Sequence, residues 1–146
     1  MNVPEHRFMK QLEKDTKALC PDLVWFRHSD SLMLGVPDVE VGYKARTTWL
    51  EIKWLELPKK HSTLVDVRKM LRPGQLNFLQ ERRRVGIPGW IIIGSDLGPI
   101  VLRPSEAQEP RTVKELAGRV WHYRHEGKMD FRYLLIYDDW PPNHLT

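Results

Sequence analysis

Cysteine is nearly absent. Cys20 is the only one among 146 residues, which excludes an internal disulfide and fits a reducing, cytoplasmic setting. Also missing is any apolar run approaching the roughly 20 residues needed to span a bilayer, so no membrane partner is expected. The opening Met1-Asn2-Val3-Pro4-Glu5-His6 lacks the character of a signal peptide. There is no internal repeat or low-complexity segment, and the Gly-Pro elements do not form a phosphate-binding loop. Charge is not extreme either: the formal net value of +4 and the pI near 9.3 permit a polyanionic partner without requiring one. What remains is ordinary. Hydrophobic and charged fractions of 41% and 29% are those of a folded protein, and the length suits one compact domain with a real core.

The most informative stretch covers residues 35–54. Two β-type runs, residues 36–41 and 47–54, flank a turn-like segment carrying Gly42, Lys44 and Arg46, which is a hairpin pattern. Alternation along the second run puts Trp49, Glu51 and Lys53 on one side and Leu50, Ile52 and Trp54 on the other. Asp38, from the partner run, reaches the same place as Glu51 and Lys53. Two carboxylates and a lysine converging at the edge of an apolar sheet suit a divalent cation, which prefers hard oxygen ligands and activates water against a phosphodiester.

Around this hairpin the pattern alternates. A first helix is expected from Pro4 to just before Pro21, with an inward stripe of Phe8, Met9, Leu12, Thr16 and Leu19. Glu5 heads that stripe, whereas Glu13 shares the polar face with His6, Lys10 and Lys17. A buried acid needs a partner, yet a solvated first-turn acid favoured by the helix dipole fits the spacing equally well. Residues 24–27 read as a strand and residues 28–34 as a loop, with His28 on the surface. Arg72-Pro73-Gly74-Gln75 opens a second helix that runs to about Val85 and closes at Gly86. It places Gln75, Phe78, Leu79 and Arg82 on one face. Gln75 lies where free N–H groups favour an anion, and capping of the first turn is an equally good account. Residues 90–94 form a continuous apolar run, as in a central strand covered on both faces, and residues 100–102 another strand. The fold class is therefore α/β, a central mixed β-sheet flanked by helices.

Beyond residue 105 the pattern weakens. Residues 112–123 are helix-like despite Gly118, residues 131–137 read as a strand, and Trp140-Pro141-Pro142 as a stop. His122 and His125 share a helical spacing but lack a third ligand. The aromatics Trp121, Tyr123, Phe131, Tyr133 and Trp140 suit packing on the body or across a dimer interface better than base stacking. The spacing leaves the role of Arg82-Arg83-Arg84 open.

At Pro37-Asp38 and Glu51-Ile52-Lys53 the chain resembles the PD-(D/E)XK nuclease superfamily. Asp15-Thr16-Lys17 and Glu126-Gly127-Lys128 also match the tripeptide, but they lie in helix-like or polar segments, whereas Asp38 and Glu51 fall on adjacent predicted strands. A helical Glu5, Gly35-Val36-Pro37-Asp38, Glu51-Ile52-Lys53, Gln75 and Gly86 together resemble the branch that contains VRR-Nuc domains and is related to archaeal-type Holliday-junction resolvases. The similarity spans about residues 4–102.

The resemblance implies a restriction-endonuclease-like core over residues 1–105 and an extension over residues 106–146. It implies a Mg²⁺-dependent endonuclease, with Mn²⁺ substituting, that cuts DNA, with branched DNA as the expected substrate and a homodimer as the expected state. Small members of this kind often occur in phages, in recombination or genome processing. Asp38, Glu51 and the main-chain carbonyl of Ile52 would hold the metal, and Glu5 would join them directly or through water. Lys53 would orient or deprotonate the attacking water, and Gln75 would hold that water or the scissile phosphate. The cationic segment of residues 55–71, irregular by pattern, would then contact backbone phosphates through Lys59, Lys60, Arg68 and Lys69, with Arg72 beside them. The alternative is a catalytically silent nuclease-fold module that binds DNA or protein.

Overall fold

The structure, a computed structural model, describes residues 2–28, 35–138 and 140. Its first element is helix α1, Val3–Leu19. The Asn2 side chain caps it by accepting from the Glu5 N–H at 2.9 Å, which satisfies one of the free first-turn donors. Cys20 ends it, because Pro21 disfavours helical backbone in the residue before it. Strands β1 (Val24–Arg27), β2 (Val39–Tyr43) and β3 (Arg46–Trp54) follow as an antiparallel meander. The hairpin turn is shorter than the sequence suggests. Tyr43 pairs with Arg46, Gly42 lies inside β2 opposite Thr47, and Lys44 takes the positive φ of 54° that such a tight turn demands.

A cationic segment then carries the two-residue strand β4 (Leu64–Val65) and a 3₁₀ turn, Val67–Met70. It is less irregular than its sequence implies, because Leu57, Val65 and Val67 turn inward and anchor it. Helix α2, Gln75–Arg84, crosses to β5, Gly89–Gly94, which lies parallel to β3. A parallel neighbour needs such a crossover. Every residue of β5 is buried, as its continuous apolar run predicts. β6, Ile100–Leu102, completes a five-stranded mixed sheet of order β1-β2-β3-β5-β6. The α/β class and the helix-flanked mixed sheet expected from the sequence are what the structure has.

The remaining elements are a 3₁₀ turn at Pro104–Ala107, β7 (Arg111–Thr112), α3 (Val113–Ala117), β8 (Arg124–His125), β9 (Lys128–Met129) and α4 (Arg132–Tyr137). Two expectations fail here. The helix that starts at the Thr112–Glu115 capping box stops at Gly118 rather than running on to Tyr123. The segment expected as a strand at residues 131–137 is helical, with the adjacent Leu134 and Leu135 both buried, a helix pattern rather than an alternating one. The Asp130 carboxylate, just ahead of that helix, accepts from the Arg132 N–H at 3.1 Å.

The sheet is covered on both faces. α1, Leu50, Ile52 and Ile92 pack with Trp121, Phe131, Leu134 and Leu135 on one side, while Leu79, Ile91 and Ile93 pack with Val113, Leu116 and Val120 on the other. Residues after 105 therefore contribute to both halves of the core. Asp15, buried on α1, accepts from the Met129 N–H at 2.9 Å and ties the first helix to the last third of the chain. Trp121 stacks on Phe131 at 5.4 Å, so these aromatics are packing residues. No helix among the described residues is long and apolar enough to cross a membrane.

Candidate active site

Three elements bring the site together at the end of β3: the turn before β2, β3 itself and the start of α2. The approach of the two loops depends on glycine. Gly35 and Gly74 have φ of +84° and +86°, and a Cβ on Gly35 would lie 3.0–3.2 Å from the Gly74 backbone. Only residues without side chains allow that contact. It sets Asp38, which follows Gly35 and Pro37, against Gln75, which follows Gly74.

Glu51 is the centre. It is fully buried, at 0% exposure. Its Oε1 accepts from Gln75 Nε2 at 2.9 Å and from the Asp38 backbone N–H at 3.2 Å. Its Oε2 is ion-paired with the Lys53 ammonium, 3.2 Å away, and has no other partner. The Asp38 carboxylate accepts from the Ile52 N–H at 3.0 Å, and the Arg72 guanidinium lies 4.0 Å from its other oxygen. Asp38 and Glu51 are thus locked together reciprocally, each carboxylate reaching a backbone N–H on or next to the other's residue. Burial, reinforced by the negative charge of Asp38, pushes the Glu51 carboxyl up to about 8, against the pull of Lys53. Glu5 is buried in the first turn of α1, and burial raises its pKa too; Lys53 opposes the rise and Asp38 adds to it.

The sequence-derived residues do not all converge equally. Asp38, Glu51, Lys53 and Gln75 form one connected group. Glu5 feels Lys53 and Asp38 electrostatically, yet among the described residues no three His, Cys, Asp or Glu side chains come close enough to hold a metal ion together. Asp38 and Glu51 form a pair joined through backbone N–H groups. Gln75 is fully buried, its amide donating to Glu51 and accepting from the Arg72 N–H at 2.8 Å. Lys59, Lys60, Arg68 and Lys69 are exposed. Arg68 and Arg72 line an open polar cleft of about 370 Å³ with Asn77, Gln80 and Gln108. Sequence spacing points to the cations but gives no sign of the three amides, two from α2 and one, Gln108, from the end of the Pro104–Ala107 turn.

Two residues border this group. Arg72, expected beside the phosphate contacts, is exposed and lies 4.0 Å from Asp38 and 3.5 Å from the Val36 carbonyl. His28, expected as a surface loop residue, is half-buried; its N–H donates to the Asp38 carbonyl at 2.8 Å and its ring meets Glu40 at 3.2 Å. The loop that follows it, residues 29–34, lies outside the described residues.

The arginine triplet divides three ways. Arg82 lies over the Phe78 ring at 3.4 Å, Arg83 makes a two-pronged bond to Asp138, and Arg84 pairs with Glu81 on the surface.

Comparison with known proteins adds little to this geometry. Neither protein-family models nor curated proteins give a match. Among solved structures the chain is similar to Hjc, a Holliday junction resolvase from the archaeal hyperthermophile Archaeoglobus fulgidus. That likeness has a TM-score of 0.45 at 14% identity and covers 78% of this chain and 97% of that one. A likeness so distant carries no chemistry across, and the site stands on its own residues.

Proposed function

We propose that this protein is a metal-dependent endonuclease that hydrolyses phosphodiester bonds in DNA, selecting branched structures such as Holliday junctions, with Mg²⁺ as its ion and Mn²⁺ as a substitute. One observation carries the reading. Glu51 is completely buried beside a second carboxylate, and its Oε2 has only the Lys53 ammonium for a partner. Two adjacent carboxylates held out of water against one lysine are costly to a fold, and a divalent cation is the further partner that their hard oxygen donors suit.

The donor set fits such an ion: the Oε2 of Glu51, the Asp38 carboxylate and the Ile52 carbonyl, with Glu5 placed to act through water. When bound, the metal would lower the pKa of water and polarise the phosphate. The chain's own residues do the rest. Gln75 and the Asp38 N–H fix the Glu51 carboxylate in one orientation. The Ile52 N–H does the same for Asp38. Lys53, ion-paired to Glu51, would hold and orient the attacking water through its ammonium. Arg72 is placed to meet the phosphate oxygens on the solvent side of Asp38.

The test is a Mg²⁺-dependent cleavage assay on a four-way junction, a flap and a linear duplex of matched length, with Asp38→Asn and Lys53→Ala beside the wild type. Symmetric junction cuts that vanish in both variants are the expected result. A second reading, a catalytically silent DNA- or protein-binding module, is favoured by the failure of Glu5, Asp38 and Glu51 to cluster. It predicts DNA binding with no cleavage of any substrate in Mg²⁺ or Mn²⁺.

A further inference from the structure

The face of the sheet that carries Glu51 is only partly covered. Among the described residues α2 lies over β3 and β5, and on that side of β1 Val24 and Phe26 are exposed. The register sets Phe26 opposite Glu40 and Glu40 opposite Trp49, with Val24, Gly42 and Thr47 in the next row but one. Trp49 lies two residues from Glu51 on the same face, roughly 7 Å along the strand, about two nucleotides at duplex rise.

Across this open face the rings form a continuous row. Phe26 meets His28 edge-on at 4.8 Å, His28 meets Trp49 at 5.3 Å, and Trp49 meets Phe78 at 4.9 Å. Arg82 closes the far end over Phe78 at 3.4 Å. At the near end Phe26 is 56% exposed and Val24 65%, beside a shallow concavity whose floor includes Gly42, which has no side chain to fill it. The acid within the row, Glu40, is paired with His28 at 3.2 Å. Exposed aromatic surface on an edge strand is a liability for a protein with nothing to put on it.

We propose that this row is a stacking platform for unpaired bases of the strand whose backbone passes Glu51, so that the protein takes DNA containing single-stranded nucleotides next to the cut. The inference rests on the nuclease reading and names its substrate class. Three features favour bases over another occupant. Aromatic rings and a guanidinium plane are what bases of any sequence stack on. The row is continuous with the carboxylate site. The two exposed side chains supply a small part of the roughly 800 Å² per partner that a stable protein interface buries.

The experiment is an anisotropy titration in EDTA, with fluorescein-labelled oligothymidine and a hairpin duplex of matched length, for wild type, Phe26→Ala and Phe26→Trp. Wild type should prefer the single strand. Phe26→Ala should weaken that binding roughly ten-fold, the scale of one lost stacking contact, with duplex binding changed less than about two-fold and the loss restored by Phe26→Trp. Unchanged binding, or an equal loss on both DNAs, overturns the proposal. So does a shift of Phe26→Ala from dimer to monomer in sedimentation, which would give this face to a second copy of the chain. Because the titration contains no free divalent metal, a protein that never cleaves still shows or lacks this preference, and the two failures are distinct.

Discussion

Glu51 and Asp130 are both buried acids with a basic side chain two residues away, and the fold treats them in opposite ways. Asp130 is gripped by Arg132 through two aligned bonds of 2.9 and 2.8 Å and a third from the Arg132 N–H. Burial alone would raise its pKa, but these bonds outweigh it and hold the carboxyl below its usual range. Glu51 has a single Lys53 contact at 3.2 Å and a second carboxylate beside it; burial and that charge push its pKa up to about 8. A structural acid is satisfied by the protein itself. Glu51 and Asp38 together leave negative charge that one lysine does not offset, and such unresolved electrostatics mark functional sites more often than structural ones.

The largest effect that separates the two regions is on catalysis. Asp38→Asn should lower junction cleavage by roughly 10³-fold or more while leaving DNA affinity intact or slightly tighter, as read by single-turnover kinetics and a binding titration. Asp130→Asn should leave the chemical step alone.

Next comes the pH dependence of stability. Because the folded Glu51 carboxyl titrates near 8, above its usual 4.5, its contribution is fully present below about 4.5 and is lost as pH rises toward 8. Asp130 has the opposite sign: its folded value lies below the usual 3.8, so its contribution is present above that value and lost as pH falls through the folded one. Denaturant titrations in EDTA should therefore show wild type losing a few kcal/mol at most between pH 5 and pH 8, and Glu51→Gln should flatten that slope. A slope that survives Glu51→Gln would place its source elsewhere.

Asp130→Asn should cost about 1–3 kcal/mol at neutral pH, the scale of charge-assisted bonds lost at a buried site, and should loosen the start of α4. Smallest are the exposed cations. Lys59→Ala and Lys60→Ala should each reduce the slope of log affinity against log salt by about one if they touch phosphate, with no change in the cleavage step.

Much of the site was legible because its spacing is local. Glu51 and Lys53 share a face by strand alternation, and Asp38 immediately precedes the neighbouring strand of the same hairpin. The place of Gln75 at the start of α2 could be read as well. Its target could not, since the bond to Glu51 exists only once Gly35 and Gly74 bring two loops into contact. Glu5 shows the same limit in reverse: helical spacing puts it on the inward stripe, but how far it stops from the carboxylate pair depends on how α1 crosses the sheet. Asp15 read as a chance motif match, and its partner is the backbone N–H of Met129, far along the chain. Residues 131–137 are apolar enough for a strand or a helix, and the burial of the adjacent Leu134 and Leu135 follows the helix. Within the arginine triplet, Arg82 and Arg84 have partners at helical spacing, whereas the Asp138 partner of Arg83 comes from far along the chain.

The central claim is that Glu51 waits for a divalent cation. Calorimetric titration of Mn²⁺ into the wild type and Glu51→Gln at pH 7, repeated in buffers of different ionisation enthalpy, tests it most directly. Saturable binding that releases protons in the wild type, and loses both affinity and proton release in Glu51→Gln, is the predicted result. Equal binding by the two proteins, or none by the wild type, would contradict it.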